Sequence, residues 1–459
     1  MTPRPHWARR LWSAFRFRDA VALTAFPLLM LGLLLATSVR DYLRARQFDD
    51  WWSRGQGVAG AFSARVHGLA ALPRSLGLRN NFSPGHDDAG VIRLDLPARR
   101  WDSLEVEKDG AWAPWLEGEL RYGSTMIPVR LRKRGDNSVH WLTDKRTLTI
   151  RTPRDEFYKR YRSFALSAKD VLPSYLANRL AGEFGLLVPA TEIVPLYVNN
   201  RFYGIYRFLE TVDESFLRPF DRMPGNIFRG DAAERGEYRK GGPRNLFENP
   251  LLWDRPAVND RWTAWGPAQL DSLLVDLAGG GFADHQRIMA RFDRAEYARL
   301  FAYLLLVGDP FHMDGVHNQL LYEDPSTQWL HPIPWDIRVR DLGRPENRLN
   351  DLFRELLRDP LVPDAAMREV ARSLQDDRFL ALADSLLRAA EARYHNYLEY
   401  DRLRTGLVPP VGEVAETRSI LDGNARLLRR WMEDDEVAVA ASRAGNAVVL
   451  DLETRGPGG

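Results

Sequence analysis

The feature that most constrains the fold is a change in hydrophobic periodicity partway along the chain. Between residues 91 and about 210, short segments such as "VIRLDL", "IPVRLRKRG" and "RSFALSA" alternate apolar and polar residues, as half-buried strands do. From residue 268 onward, apolar residues recur at helical spacing. This order predicts an α+β protein of two lobes, with a β-rich N-terminal lobe and a helical C-terminal lobe.

Turn and breaker residues divide these two regions further. The segment "LPSYLANRLAGEFG" predicts a helix that ends at Gly185, and "EIVPLYVNNRFYGIYRFLETV" predicts a hairpin that turns at Asn199-Asn200. Residues 223–262 are polar and rich in Gly and Pro, which predicts a long surface loop and a candidate lid. A second hairpin is predicted in "QLLYED…TQWLHPIPW". The helices predicted in the second half are Ala268–Leu277, Phe282–Arg291, Arg294–Val307, Asn350–Leu356, Asp364–Leu374 and Arg378–Tyr397.

The N-terminus carries an uncharged apolar run over residues 20–39. A helix of that length spans about 30 Å, the thickness of a bilayer's hydrocarbon core. Five arginines precede the run, so the positive-inside rule predicts a single-pass transmembrane anchor with a cytoplasmic basic tail, residues 1–19. The lipid bilayer is thus an expected partner through residues 20–39, and the bulk of the chain is expected outside the inner (cytoplasmic) membrane. A cleaved signal peptide and a buried soluble helix are the alternatives.

The rest of the chain divides into three expected parts. Residues 40–90 predict a juxtamembrane stalk, residues 91–404 the main domain, and residues 405–459 a linker, a helix and a C-terminal β-hairpin. The chain has no cysteine, which excludes disulfides, a cysteine nucleophile and Cys-ligated zinc. Its 64 basic and 62 acidic residues leave a net charge of +2, which gives no general argument for nucleic-acid binding, and none is expected.

The densest chemistry lies in "MDGVHNQLLYEDPSTQWLHPIPWD", where two acids and an amide flank a predicted hairpin. Phosphoryl transfer needs Mg²⁺ held by carboxylate and amide oxygens, and an acid near the attacking hydroxyl. Asp314, Asn318 and Asp336 occur in the order in which a kinase catalytic loop and its metal-binding acid occur. On spacing alone, a turn in which Asp314 and Asp336 satisfy backbone groups explains the pattern at least as well.

Cations for a nucleotide come from the segment "VRLRKRGDNSVHWLTDKRTLTIR". Arg134 and Gly135 lie in a predicted turn, and Lys145 begins a strand from which it could hold phosphates; a solvated strand end is the alternative. Glu210, with Glu183 as its rival, could orient that lysine. The chain has neither G-x-G-x-x-G nor G-x-x-x-x-G-K-[ST], so both common phosphate-binding loops are missing.

The histidines offer a different hypothesis. His312, Asp314 and His317 form H-x-D-x-x-H, and His331 follows, which would suit a zinc-dependent hydrolase. No established zinc spacing such as H-E-x-x-H is present, so satisfied polar histidines explain the pattern better. A serine hydrolase is disfavoured because the chain has no G-x-S-x-G elbow.

Several of these segments together resemble the spore-coat protein H (CotH) kinase-like family. The resemblance rests on "RGDNS…K…LTI", "VPATEIVPLYVNNRFYGIYRFLETVDESFL" and "DGVHNQLLYEDPSTQWLHPIPWDI", and extends over about residues 95–400. It implies an atypical two-lobed protein-kinase-like fold that uses ATP and Mg²⁺ (or Mn²⁺).

Residue by residue, the resemblance assigns the following roles. Asp314 matches the catalytic acid, while Asp336 and Asn318 match the metal-binding residues. The nucleotide-binding residues would be Lys145, Glu210, Arg134 and Ser138, the last two in a turn over the nucleotide.

Two departures from the family pattern affect the expected function. The spacing from Asp314 to Asn318 is one residue short, and Arg338 and Arg340 stand where the family often has an acid and an aromatic; Asp341 could replace that acid. The sequence therefore favours a membrane-anchored kinase that transfers a nucleotide phosphoryl group to a hydroxyl on an envelope protein or glycan. A catalytically inactive pseudokinase that scaffolds an envelope assembly is the alternative.

Overall fold

The computed structural model describes residues 17–47, 62, 66, 90–97, 101, 114–135, 145–231, 245–257, 268–309, 318–343, 350–400, 410–434, 437–444 and 447–454. Strands predominate before residue 258 and helices after it, as the change in periodicity predicts. The protein is therefore a mixed α/β structure, and the two-lobed arrangement stays a prediction.

The N-terminal strands close into a barrel with the order β1-β2-β3-β4-β5-β7-β6. Neighbouring strands are antiparallel except β1 and β6, which are parallel. Alternate side chains fill the barrel, among them Leu94, Leu131, Ile150 and Phe164. The strands are β1 (Ile92–Asp95), β2 (Leu116–Tyr122), β3 (Thr125–Lys133), β4 (Leu148–Arg151), β5 (Ser163–Ser167), β6 (Thr191–Val198) and β7 (Arg201–Glu210).

The β6–β7 hairpin confirms the predicted turn. Asn199 and Asn200 both have positive φ angles, 50° and 59°, a conformation that asparagine tolerates better than most residues. The predicted helix before it is also confirmed as α2 (Val171–Glu183), which ends before Gly185 at φ 69°. Leu176 and Leu180 of this helix are fully buried in the helical core.

A second sheet has the strand order β11-β10-β8-β9. Its members are β8 (Asn226–Gly230), β9 (Trp253–Ala257), β10 (Gln319–Glu323) and β11 (Leu330–Pro332), and the last two form the predicted hairpin. The first two lie within residues 223–262, so the expectation of a plain surface loop there is wrong. Phe247 and Trp253 are buried, because apolar residues between the glycines and prolines join the core.

The helices form one large core around α5, which has buried side chains around most of its circumference. The helix α9 packs into the same core through Leu421, Ala425 and Leu428, although it follows the predicted domain end at residue 404. The helices are α1 (Phe17–Gln47), α3 (Ala268–Gly279), α4 (Phe282–Met289), α5 (Arg294–Val307), α6 (Asp351–Leu357), α7 (Leu361–Leu374), α8 (Arg378–Tyr400) and α9 (Pro410–Asp434). A terminal hairpin joins β12 (Val437–Ala444) and β13 (Ala447–Thr454).

The helix α1 contains the apolar run of residues 20–39. Within the part of the chain that the structure describes, no helix reaches the length and apolarity required to cross a bilayer. The predicted membrane anchor is therefore not supported.

Candidate functional site

The β10–β11 hairpin brings two of the predicted metal-binding residues to the same end of the second sheet. Its register pairs Leu321 with Pro332, and the N–H of Ile333 donates to the carbonyl of Leu320 at 3.0 Å. Two residues beyond this hydrogen bond, the two segments reach Asn318, whose φ of 61° ends the extended backbone, and Trp335, which directly precedes Asp336. The hairpin thus collects an amide and a carboxylate at one edge.

Asp336 lies in a strained and open position. Its φ angle is 57°, in the left-handed region that a non-glycine residue adopts at a cost of about 1–3 kcal/mol. The side chain is 56% exposed, and its Oδ1 lies 3.7 Å from Nη2 of Arg207 on β7. A carboxylate held in this way stays accessible to a ligand, whereas a carboxylate that only capped a turn would be covered by backbone donors.

Arg207 supplies a buried positive charge beside that carboxylate. Its side chain is 3% exposed, and its Nε has no hydrogen-bond partner among the described residues. Burial lowers the pKa of Arg207, while Asp336 and Asp170 oppose that shift. A buried guanidinium with an unsatisfied N–H is costly unless an anion completes its coordination.

Two further arginines are fixed by acids beneath this edge. The guanidinium of Arg338 donates to Asp170, and its backbone N–H donates to Oδ2 of Asp309 at 2.9 Å. Nε of Arg340 lies 3.5 Å from Oδ1 of Asp309, which is fully buried. Burial alone would raise the pKa of Asp170, but Arg338, Lys169 and Arg340 together outweigh it, so the pKa is lowered and the carboxylate stays charged.

The acid Asp309 depends on a glycine for its position. Gly308 ends α5 with φ 66°, and a Cβ on it would lie 2.1 Å from the carbonyl oxygen of Arg340. Only glycine therefore allows the chain to pass Arg340 closely and turn Asp309 beneath the arginines.

The predicted phosphate-binding cations lie at the barrel end near this edge. Lys145 is 2% exposed, with Nζ 5.2 Å from the ring centre of Tyr206, the neighbour of Arg207. Arg134 stacks its guanidinium 5.5 Å from the ring centre of Trp335, the neighbour of Asp336. Arg134 thus lies beside the segment that carries Asp336, whereas Lys145 lies with Tyr206 on the barrel side of β7, the opposite face from Arg207; the proposed roles of both residues stay predictions.

Of the two acids that could orient Lys145, Glu210 is paired with other groups. Glu210 accepts a hydrogen bond from the N–H of Ala190 at 2.9 Å and lies 3.3 Å from Nη2 of Arg160. Burial raises its pKa, against the effect of those two partners. Glu183 is exposed at the end of α2. Asp341 accepts from the N–H of Gly343 at 3.0 Å, so it closes a local turn.

Some predicted residues lie outside the described part of the chain: Ser138, His312, Asp314 and His317. Of the zinc hypothesis, the structure describes only His331, which is buried against Glu296. Within the described ranges, no group of three or more His, Asp or Glu side chains is arranged to hold a metal ion.

Sequence reasoning missed Arg207, Asp170 and Asp309. Arg207 is a lone charge within the otherwise buried strand residues "IYRFL", which is a signal that a search for motifs passes over. Asp170 precedes α2 and Asp309 follows a C-terminal glycine, so each looks like an ordinary helix-end residue. Their partners are distant in sequence and could not be inferred from local patterns.

The arrangement suits a phosphate anion and a divalent cation. The unsatisfied Nε of Arg207 lacks an acceptor among the described residues, which a phosphate oxygen would provide. Asp336 and Asn318 offer hard oxygen ligands, and Mg²⁺ is commonly bound by one or two such residues together with water and substrate phosphates. A site of this kind therefore needs no cluster of three protein acids.

Comparisons with known proteins agree with the resemblance seen in the sequence. Residues 131–338 match the family model described as CotH kinase protein, which supports the CotH family and a kinase-like function, and with it nucleotide and divalent-metal use in general. No curated protein matches the chain.

Two solved structures show low structural similarity to the chain. The HipA–HipB toxin–antitoxin complex of Shewanella oneidensis MR-1 with its operator DNA has 14% identity over 80% of this chain and 82% of that one, at a TM-score of 0.29. The proinflammatory kinase CtkA of Helicobacter pylori has 9% identity over 74% of this chain and 99% of that one, at a TM-score of 0.23.

Proposed function

We propose that this protein is a CotH-type phosphotransferase that moves the terminal phosphoryl group of ATP to a hydroxyl on an envelope protein or glycan. The observation that carries the proposal is the exposed carboxylate of Asp336, held in a left-handed bend beside the buried guanidinium of Arg207. The match of residues 131–338 to the CotH kinase model supports it.

The proposed roles follow from the chemistry of each side chain. Asp336 and Asn318 would hold Mg²⁺ or Mn²⁺, which would neutralise charge on the transferring phosphoryl group. Arg207 would donate a hydrogen bond from its unsatisfied Nε–H to a phosphate oxygen, and Lys145 and Arg134 would add positive charge nearby. Asp314 would orient the acceptor hydroxyl, and Ser138 would lie over the nucleotide. Asp170 and Asp309 position Arg338 and Arg340, which keeps the edge beneath Asp336 rigid.

An inactive pseudokinase is the second proposed function, and one observation favours it. The ion pair with Arg207 occupies part of the Asp336 carboxylate, and a cation there competes with a metal ion for the same oxygens. The envelope location and the bilayer partner stay predictions from the sequence, and neither function depends on them.

The test is transfer of label from γ-labelled ATP by the full chain with Mg²⁺ or Mn²⁺. Asp336→Ala should abolish labelling, while Asp341→Asn, a matched exposed acid five residues later, should leave it unchanged. Nucleotide binding without transfer would favour the pseudokinase. Absence of label, with no nucleotide-induced rise in melting temperature under either metal, would overturn the kinase function.

A further inference from the structure

The outer face of β3 carries a row of arginines. Arg130, Arg132 and Arg134 occupy alternate positions, while the residues between them are buried in the barrel. The N–H of Arg134 donates to the carbonyl of Thr147 at 2.9 Å, so the β3–β4 ladder continues to that residue. Because successive side chains of a strand point to opposite faces, these three guanidinium groups share the outer face. We call Arg130, Arg132 and Arg134 the arginine row.

At the far end of this row, the guanidinium groups pack against the ring of Trp115. The guanidinium carbons of Arg130, Arg132 and Arg151 lie 5.4, 4.7 and 5.0 Å from the ring centre of Trp115. Arg151 is the direct cross-strand partner of Arg130. Like charges opposite each other destabilise a sheet, and the aromatic ring offsets only part of that repulsion. Glu117, opposite Arg130 on β2, offsets a further part, and an anionic ligand would add to that compensation.

The near end of the arginine row reaches the candidate site. Arg134 lies over Trp335, and Asp336 is the next residue. At about 3.3 Å per residue, the Cα atoms of Arg130 and Arg134 are about 13 Å apart. The row therefore forms a path of positive charge that leads from the barrel surface to the proposed site of phosphoryl transfer.

Acids on the neighbouring strand restrict what can bind along this path. Glu117 lies opposite Arg130, and Glu119 lies opposite Pro128, and both acids are exposed on the same face. A uniform polyanion laid across the face would meet these carboxylates as well as the arginines. A peptide can instead place acids only where the arginines stand, which favours a peptide over a phosphate polymer.

We propose that the arginine row docks an extended acidic segment of the acceptor protein, with carboxylates at alternate residues. The two-residue repeat of an extended peptide matches the spacing of the arginines, and carboxylates accept paired hydrogen bonds from guanidinium groups. The barrel is closed, so the segment binds through side chains and adds no strand to the sheet. The docking role rests on the proposed function, because it delivers a serine or threonine hydroxyl of the segment to the site at Asp336.

The experiment measures fluorescence anisotropy of a labelled nine-residue peptide of alternating Glu and Ser, titrated with the full chain without nucleotide. A peptide with Lys at each Glu position controls for charge, and inorganic polyphosphate competes as a uniform polyanion. The test variant is Arg130→Ala/Arg132→Ala. The control is Arg121→Ala, an exposed arginine of β2 paired with Asp95 at 3.5 Å and outside the row. Melting temperatures verify that each variant is folded.

The expected result is salt-sensitive binding of the acidic peptide to the wild type and to Arg121→Ala. Since an exposed ion pair changes affinity by at most about fivefold, the double variant should bind about tenfold more weakly. Binding of polyphosphate without binding of the peptide would overturn the proposal in favour of a phosphate polymer. Docking would be overturned if the double variant bound the peptide as tightly as the wild type. It would also be overturned if the wild type bound neither anion while ATP still raised its melting temperature. Either result would leave the proposed phosphotransferase function intact. Peptide binding lost in the double variant, in a protein that transfers no label, would uphold docking and contradict the transfer.

Discussion

The two ends of the β10–β11 hairpin hold acids in opposite environments. At one end, Asp336 is 56% exposed and pairs with Arg207 at 3.7 Å. Toward the other, the side chains of His331 and Glu296 are each 4% exposed, with Nδ1 2.5 Å from Oε2. Asp324 lies behind the imidazole at 3.9 Å and also pairs with Arg222. The ring of Tyr322 stacks on His331.

The difference separates a structural polar cluster from a site built for a ligand. Burial alone would raise the pKa of Asp324, but bonds from Ser326 with His331 and Arg222 outweigh it and lower the pKa. The buried end pairs its charged groups within the protein, although Nε2 of His331 has no hydrogen-bond partner in the described chain. The exposed end leaves Nε of Arg207 without a partner in the described chain and one carboxylate open. Substitutions at the buried end should affect folding, and those at the exposed end should affect binding.

The largest expected effect is on stability, from Glu296→Ala. Removing one partner of a buried polar pair leaves His331 uncompensated, which should lower the free energy of unfolding by about 3 kcal/mol. Asp336→Ala removes an exposed carboxylate that lies 3.7 Å from the buried Arg207, beyond hydrogen-bonding distance, and Asp170 still compensates that guanidinium, so the free energy should fall by only about 1 kcal/mol. Urea unfolding of both variants measures the contrast. Equal losses would contradict the distinction between the two ends.

A smaller effect is expected on nucleotide affinity, from Arg207→Ala. Losing a hydrogen bond between a charged donor and phosphate should weaken ATP binding by about 2 kcal/mol, roughly 30-fold. Since the variant also removes a buried charge with an unsatisfied N–H, its unfolding free energy should fall little. Calorimetric titration with ATP, with Arg121→Ala as a control at an exposed arginine of barrel strand β2, measures the affinity. Unchanged affinity in Arg207→Ala would show that the buried guanidinium serves only Asp336.

The smallest effect concerns pH and Asp170, which lies beside the exposed end but is fully paired. Its folded pKa is lowered below the ordinary 3.8, so the unfolded chain binds more protons in that range. The stability it contributes is therefore present above pH 3.8 and is lost as pH falls through the lower folded pKa. The difference in unfolding free energy between wild type and Asp170→Asn should be constant from pH 6 to 5 and shrink below 3.8. A difference that grows in acid would contradict the pairing with Arg338.

Sequence patterns predicted local structure better than they predicted the site. The helix Arg294–Val307 has the predicted bounds because an N-terminal Asp293 cap and Gly308 mark its ends. Asp336 and Asn318 could be predicted from their order along the chain and from the resemblance to the CotH family. Arg207 was missed because its importance depends on a contact with Asp336, 129 positions later in the chain, that no local period encodes. Strands β8 and β9 were missed because glycine and proline conceal their short apolar runs.

The exposed edge at Asp336 is predicted to bind a nucleotide together with a divalent cation. Calorimetric titration of the full chain with ATP, with and without Mg²⁺ or Mn²⁺, tests it in the wild type, Asp336→Asn and Asp341→Asn. We predict that ATP binding depends on the metal ion and weakens at least about tenfold in Asp336→Asn, because that variant loses one carboxylate ligand. Asp341→Asn should retain the affinity of the wild type. Equal metal-dependent binding in Asp336→Asn, or no binding to the wild type under either metal, would contradict the claim.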